Sequence, residues 1–190
     1  MMNRKLLMLW MMWMAMLSTT LAQNIGVKTN LLYDATSTPN IGAEIGVGRR
    51  SSLQLFYGWN PWKFSETKKL RHWSLMPEYR RWFCSTMNGH FIGVHALGGQ
   101  FNMGGVKLPF GAFPELRDHR YEGWYVGGGL TYGYSWILSK HWNLEAAIGV
   151  GYAYIDYKKF ECETCGKEIK DDHKNYVGPT KTALNLIYVF

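Results

Sequence analysis

Eight segments of the chain alternate large apolar side chains with small or charged ones, and no other feature constrains the fold as strongly. Successive residues of a β-strand point to opposite faces, so this alternation predicts strands with one bulky face and one small or polar face. The clearest segment sets Trp124, Val126, Leu130, Tyr132, Tyr134, Trp136 and Leu138 against Gly127, Gly129, Thr131, Gly133 and Ser135. The predicted strands cover 25–34, 40–48, 51–59, 71–83, 89–101, 122–138, 142–157 and 178–190.

The chemistry of the two faces predicts a membrane barrel. A soluble sandwich packs its large apolar residues inside, whereas here small and charged residues must line a narrow interior and bulky ones must face lipid. Open sheet edges cannot exist in hydrocarbon, because unpaired backbone groups there cost several kcal/mol each, so the first and last strands must pair. The predicted fold is therefore an all-β, eight-stranded antiparallel up-and-down transmembrane β-barrel of the small outer-membrane protein type. In the first strand, Ile25, Val27, Leu31 and Tyr33 are expected to share the outer face.

The connections between the predicted strands alternate in length. Those after the second, fourth and sixth strands are short, whereas those after the third, fifth and seventh are long and cover about 60–70, 102–121 and 158–177. Outer-membrane barrels have short periplasmic turns and long extracellular loops. The pattern predicts a location in the outer membrane of a Gram-negative cell, with both termini in the periplasm.

The beginning of the chain has the features of an export signal. A basic start at Arg4 and Lys5, an apolar run over 6–17 and a small-residue cleavage site predict a signal peptide over 1–22 and an outer-membrane β-barrel domain over 23–190. The apolar run is shorter than the ~20 residues that a spanning helix requires.

The end of the chain indicates its first partner. Leu186, Tyr188 and Phe190 alternate along the last strand, and an aromatic terminus of this kind resembles the assembly signal of outer-membrane proteins. We therefore expect the barrel-assembly machinery as a partner, with outer-membrane lipid and lipopolysaccharide around the barrel. A surface protein or glycan is a further possible partner. Despite a net charge of +7, nucleic acid is not expected, because the basic residues are scattered and an exported chain would not meet it.

Six charged residues fall on the predicted inner face, three of each sign. They are Lys28, Arg80 and Lys181 against Glu44, Glu78 and Glu145. An eight-stranded barrel has room only for its own side chains or one small ligand, and buried charges must be paired or hydrated. We expect an ion-pair plug that closes the lumen. The alternative is a narrow gated channel through the same charges.

An enzymatic alternative rests on His72 and Ser74. Residues two apart on a strand share a face, so His72 could activate Ser74 as a nucleophile. Eight-stranded lipid A deacylases use such a His-x-Ser pair with a carboxylate, and Glu78 lies on the same face. Glu78 is roughly 13 Å further along the strand, however, and this face points inward rather than towards acyl chains. We therefore expect no catalytic residues, with the deacylase as the alternative.

The cysteines predict a local disulfide rather than a metal site. Cys162 and Cys165 form a C-x-x-C motif in the last long loop, and an exported chain favours a disulfide there. Zinc, with ligands from 171–173, is the alternative. Cys84 is expected to be a small residue at a strand end. No metal or other cofactor is expected.

Long sequence runs resemble an uncharacterised family. They include K-T-N-L-L-Y-D at 28–34, N-P-W-K-F at 60–64, P-E-Y-R-R-W-F-C at 77–84, N-G-H-F-I-G-V-H-A at 88–96 and N-Y-V-G-P-T-K at 175–181. These runs resemble domain-of-unknown-function family 3575, found in Bacteroides-type bacteria. The resemblance implies no activity, because the family has no established one; it hints at a link to fimbrial or envelope assembly. From the residues and the resemblance together, we expect a non-enzymatic surface anchor, adhesion or scaffold protein that acts through long extracellular loops.

Overall fold

The protein is a closed antiparallel β-barrel of eight strands. The computed structural model describes residues 25–62, 69–104, 119–161, 166 and 168–190. The elements are β1 (Ile25–Asn30), α1 (Leu31–Ala35), β2 (Asn40–Gly48), β3 (Ser51–Asn60), β4 (Lys69–Trp82), β5 (Gly89–Gly104), β6 (Arg120–Ile137), β7 (Trp142–Phe160) and β8 (Glu168–Val189). Each strand pairs with the next, and β1 pairs with β8 from Gly26↔Val189 to Asn30↔Asn185. The prediction of an all-β, eight-stranded antiparallel fold is therefore confirmed. No helix in these residues is long and apolar enough to cross a membrane.

The barrel has two unlike ends. The connections after β2, β4 and β6 are short turns, and we call this side, which also holds Ile25 and Phe190, the turn end. The strands β1, β3, β5 and β7 end at the opposite side, which we call the loop end. The predicted signal peptide, over 1–22, lies outside the described residues.

Most of the large apolar side chains point outward along the strands. On β3, Leu53, Leu55, Tyr57 and Trp59 are 41–51% exposed, whereas Ser52, Gln54, Phe56, Gly58 and Asn60 are buried. Small residues on the inner face make room for long charged side chains. A Cβ added at Gly42 would lie 2.7 Å from Lys28 Cγ, and one added at Gly93 would overlap the Glu78 carboxylate. Polar side chains therefore fill much of the interior, as the alternation indicates, together with inward-facing apolar residues such as Phe56.

The first strand is shorter than its sequence pattern suggests. The prediction of a strand over 25–34 is wrong beyond Asn30, because residues 31–35 form α1. The Asn30 side chain caps this helix by accepting a hydrogen bond from Leu32 N at 3.1 Å. Tyr33 does not face outward; its ring packs against Phe56 at 5.3 Å between centroids.

The loop end rises in steps around the barrel. From β1 to β8 the strands contain 6, 9, 10, 14, 16, 18, 19 and 22 residues. The prediction of a loop over 158–177 is wrong for most of its length, because β7 runs to Phe160 and β8 begins at Glu168. We call the paired ends of these strands, 154–160 with 168–175, the raised wall. Where the longest strand meets the shortest, the barrel wall drops abruptly, and we call this place the β8–β1 step.

Candidate functional site

A buried ion-pair network fills the middle of the barrel. Arg80 Nη1 lies 2.8 Å from Glu44 Oε2 and 2.7 Å from Glu145 Oε2, and Arg80 Nη2 lies 3.3 Å from Glu78 Oε2. Lys28 Nζ lies 2.5 Å from Glu44 and 3.2 Å from Glu145. The structure therefore brings five of the six predicted interior charges into one cluster.

Lys181, on β8, is the sixth charge and pairs with Glu78. The six side chains are almost completely buried; only that of Lys181 retains measurable exposure, at 6%. The network contains three bases and three acids, so its formal charge is zero. This balance is required, because a charge that leaves water loses its hydration energy. Only a well-placed partner of opposite charge offsets that loss.

Neutral polar side chains complete the network, and the sequence pattern alone does not mark them as its members. Ser52 Oγ donates to Glu44 at 2.5 Å, and Asn185 Nδ2 donates to Glu145 at 2.7 Å. Lys28 Nζ donates to Gln54 Oε1 at 2.9 Å. Each of the three lies on the inner face by its position in the strand. Strand position therefore predicts that these side chains face the interior, but it does not predict which charged group each of them contacts.

An apolar cluster closes the interior below the network, at the turn end. Trp82, Met87 and Phe91 are almost fully buried there and pack with Ala147 and Val189. Met87 belongs to the turn between β4 and β5 and has a φ of 63°, a conformation that directs this residue back into the barrel. Its carbonyl accepts hydrogen bonds from Ser135 and Asn143 at 3.2 and 2.9 Å. The cluster contacts the network through Arg80, whose guanidinium lies 4.4 Å from the Phe91 ring centre.

A cavity of about 220 Å³ lies on the other side of the network, towards the loop end. Its inner lining combines apolar and polar side chains. Phe56, Met76 and Ala183 supply the apolar part, and Gln54, Asn30, Lys181 and Asn185 supply the polar part. Tyr33 of α1 also lines it. The described interior thus has a filled half and a partly open half.

The residues of the enzymatic alternative do not form a triad. Ser74 is buried, His72 is half-buried, and no hydrogen bond joins them in the described part of the chain. The nearby carboxylate of Glu78 is held by Arg80 and Lys181 instead. A second inner histidine, His95, is fixed between Thr131 and Thr180, at 2.9 Å from each. Both ring nitrogens of His95 are thus engaged by threonine hydroxyls, and a catalytic pairing of His72 with Ser74 stays a prediction.

The remaining predicted sites are on the surface or outside the described residues. Cys162 and Cys165, the predicted disulfide, lie outside them, and Cys84 is exposed as a free thiol. Across residues 25–62, 69–104, 119–161, 166 and 168–190, no three His, Cys, Asp or Glu side chains are placed to share a metal ion. Leu186, Tyr188 and Phe190 follow the outer side of β8, where Tyr188 contacts the rings of Trp142, His141 and Phe190.

Comparison with known families adds a family but no activity. The chain matches the family model described as "Protein of unknown function (DUF3575)" over residues 6–190. No curated protein and no solved structure matches it. The match spans all eight strands and confirms the resemblance found in the sequence. Because it covers nearly the whole chain, the protein belongs to the DUF3575 family.

Proposed function

We propose that the protein is an outer-membrane barrel with a blocked lumen that serves as an anchor, adhesion or scaffold platform at the cell surface. The observation that carries the proposal is the inverted distribution of side chains. Leu130 is 64% exposed on the outside while Arg80 and Glu145 are fully buried on the inside. Water would favour the opposite arrangement, whereas hydrocarbon around the barrel favours this one.

The span of the apolar outer surface supports insertion into a bilayer. Aromatic residues flank aliphatic ones on neighbouring strands: Trp124 and Tyr132 flank Val126 and Leu130 on β6, and Trp142 and Tyr152 flank Ile148 and Val150 on β7. From Trp142 to Tyr152 the strand rises about 33 Å, or about 25 Å along the axis of a barrel whose strands tilt by ~40°. The hydrophobic band of outer-membrane barrels is about 25 Å tall, with aromatic girdles at both edges.

The interior favours a platform over a pore. The ion-pair network and the apolar cluster of Trp82, Met87 and Phe91 occupy successive levels of the lumen. An ion that crossed would have to separate Arg80 from its carboxylates inside a low-dielectric barrel. We therefore expect no steady conductance.

The raised wall supports a role at the surface. It extends the barrel on one side only and carries pairs of opposite charge, such as Lys158 with Asp171 at 3.6 Å. A one-sided β-sheet above the membrane offers a rigid, polar contact surface for another envelope protein or a glycan. The long connections at the same end would extend this surface.

Topology mapping on intact cells tests the proposal. An epitope inserted between Cys162 and Cys165 should be labelled from outside, whereas the same epitope between Ser139 and Lys140 should be labelled only after the envelope is permeabilised. The purified barrel should also be silent in planar bilayers. External labelling at the Ser139 turn, or a steady current, would contradict the proposed platform.

A further inference from the structure

The barrel wall is incomplete at membrane depth beside the β8–β1 step. A membrane strand needs about 9–11 residues, but β1 has six. Its last partner on β8 is Asn185, and β8 continues towards the loop end as far as Glu168. In the described residues, this continuation pairs as a strand with β7 alone. The first part of the unpaired edge therefore lies beside lipid if the protein is inserted as proposed.

Only a thin cover lies over this edge. Asn30 Nδ2 donates to Thr182 O at 3.3 Å, and Asn30 Oδ1 accepts from Leu184 N at 3.2 Å. Beyond them the short helix α1 stands in place of further β1 residues, and Leu31 and Leu32 are 36% and 44% exposed on it. One side chain and a helix of five residues thus replace a hydrogen-bonded strand.

The unpaired edge is shaped by a proline and a bulge. Pro179 has no N–H group, so its presence on a free edge leaves no donor unsatisfied. The register with β7 shifts between Gly149 and Val150, whose partners are Lys181 and Pro179. Thr180 is therefore the extra residue of the bulge, and bulges bend a strand and locally disrupt its ladder.

The cavity on the loop side of the ion-pair network opens at this place. Its lining includes Pro179 and Thr182, which are exposed on the outside of β8, as well as the inward-facing Met76 and Ala183. A cavity lined from both faces of the wall reaches the lipid side. At about 220 Å³ it has room for part of one alkyl chain but not for a whole phospholipid.

The inner end of the cavity is polar. Asn185 Oδ1 is buried without a hydrogen-bond partner in the described part of the chain, and Asn185 lines the cavity. Buried acceptors in proteins are normally hydrogen-bonded, so a ligand that donates a hydrogen bond would stabilise this oxygen. Because the network beside it is already neutral, a donor without charge fits this position better than an anion.

We propose that the β8–β1 step is a lateral entrance through which the cavity takes a single-chain amphiphile from the membrane. The ligand has one alkyl chain and a small neutral end that donates a hydrogen bond, as a protonated fatty acid or a fatty alcohol does. Its polar end lies at Asn185, and its chain runs along the inward-facing Phe56 and Met76 side chains towards Pro179. The inference rests on the proposed membrane insertion but not on the surface role.

Photolabelling in lipid vesicles tests the entrance. The refolded protein is irradiated with a fatty acid that carries a diazirine on its chain, and adducts are mapped by mass spectrometry. Two adjacent pairs, Leu55 with Phe56 and Leu75 with Met76, each place one residue outside and one inside the barrel. We expect adducts on all four residues. Adducts on Leu55 and Leu75 alone would overturn the lateral site while leaving insertion intact. If none of the four residues carries an adduct, insertion itself is overturned.

Two further arms sharpen the test. Ala183→Phe fills the cavity and should abolish labelling of Phe56 and Met76, whereas Ala43→Phe, on the outside of β2, should change nothing inside. Heat-modifiable gel mobility checks that both variants fold; if A183F does not, the wild-type pattern still decides.

A phospholipid with the same diazirine chain should label only Leu55 and Leu75. Equal labelling of Phe56 by the phospholipid would overturn the single-chain assignment.

Discussion

The middle of the barrel and the raised wall use charged residues in opposite ways. In the middle, Arg80 and its carboxylates are fully buried, and the three bases balance the three acids. In the raised wall, Lys158 and Asp171 lie 3.6 Å apart, but their side chains are 49% and 58% exposed. A pair in water contributes little free energy and tolerates loss of a partner, whereas a buried pair does not. The comparison indicates that the interior charges determine stability and closure, and that charges in the raised wall can be replaced at little cost in stability.

The largest effect is expected from removing the centre of the network. Arg80→Met should destabilise the folded barrel by about 3–5 kcal/mol, because three buried carboxylates would then face only two lysines. Urea unfolding in lipid vesicles measures the change. Arg71→Met, on an exposed part of the same strand, is the control and should stay within about 0.5 kcal/mol. If both variants lost the same free energy of unfolding, buried and exposed charges would not differ in their contribution to stability.

A charge on the outer band should have the next largest effect. Leu130→Arg should cost about 2–4 kcal/mol, because Leu130 is exposed at the middle of the proposed hydrocarbon band. Ile169→Arg places the same side chain on the raised wall, where the native residue is 51% exposed, and should change stability by less than about 0.5 kcal/mol. The same unfolding measurement compares them. A similar small cost for both would contradict a lipid environment around Leu130.

The cover of the unpaired edge should have an intermediate effect. Asn30→Ala removes the cap of α1 and both hydrogen bonds to β8, and we expect a loss of about 1–2 kcal/mol. Hydrogen exchange should also accelerate at the amides of Leu32 and Leu184. Asn175→Ala removes a side-chain hydrogen bond on the raised wall and should leave both amides unchanged. Unchanged exchange at Leu184 in the Asn30 variant would show that Asn30 does not protect the edge.

The smallest effect is expected on the raised wall itself. Lys158→Ala should change the free energy of unfolding by less than about 0.5 kcal/mol, because its pair with Asp171 is open to water. The change should shrink further in high salt, which screens exposed charges. A loss as large as that of Arg80→Met would mean that the wall is part of the stabilising core.

The inner and outer faces were predictable because strand geometry is simple. Residues two apart share a face, so the positions of Glu44, Arg80 and Glu145 in their strands were enough to assign them to the interior. Their partners were not predictable in the same way. Glu44 and Arg80 lie on different strands, and contact between them depends on strand register and side-chain reach inside a narrow barrel.

The errors occurred where tertiary contacts decided the local structure. Leu31 and Tyr33 continue the alternation of β1, but the Asn30 cap and the contact of Tyr33 with Phe56 produce α1 instead. The charged stretch at 171–175 resembles a loop because both of its faces are polar. It forms a strand because β7 continues beside it and supplies a backbone partner at every position.

The order of residues was sufficient for the barrel architecture, the number of strands and, at most strand positions, the side of the wall that a side chain faces, since these depend on periodicity and on the polarity of the two faces. The helix after Asn30, the bulge at Thr180, the inserted Met87 and the unequal strand lengths required the folded chain. Each of these depends on groups far apart in sequence that meet only when the sheet closes on itself, and no local pattern carries that information.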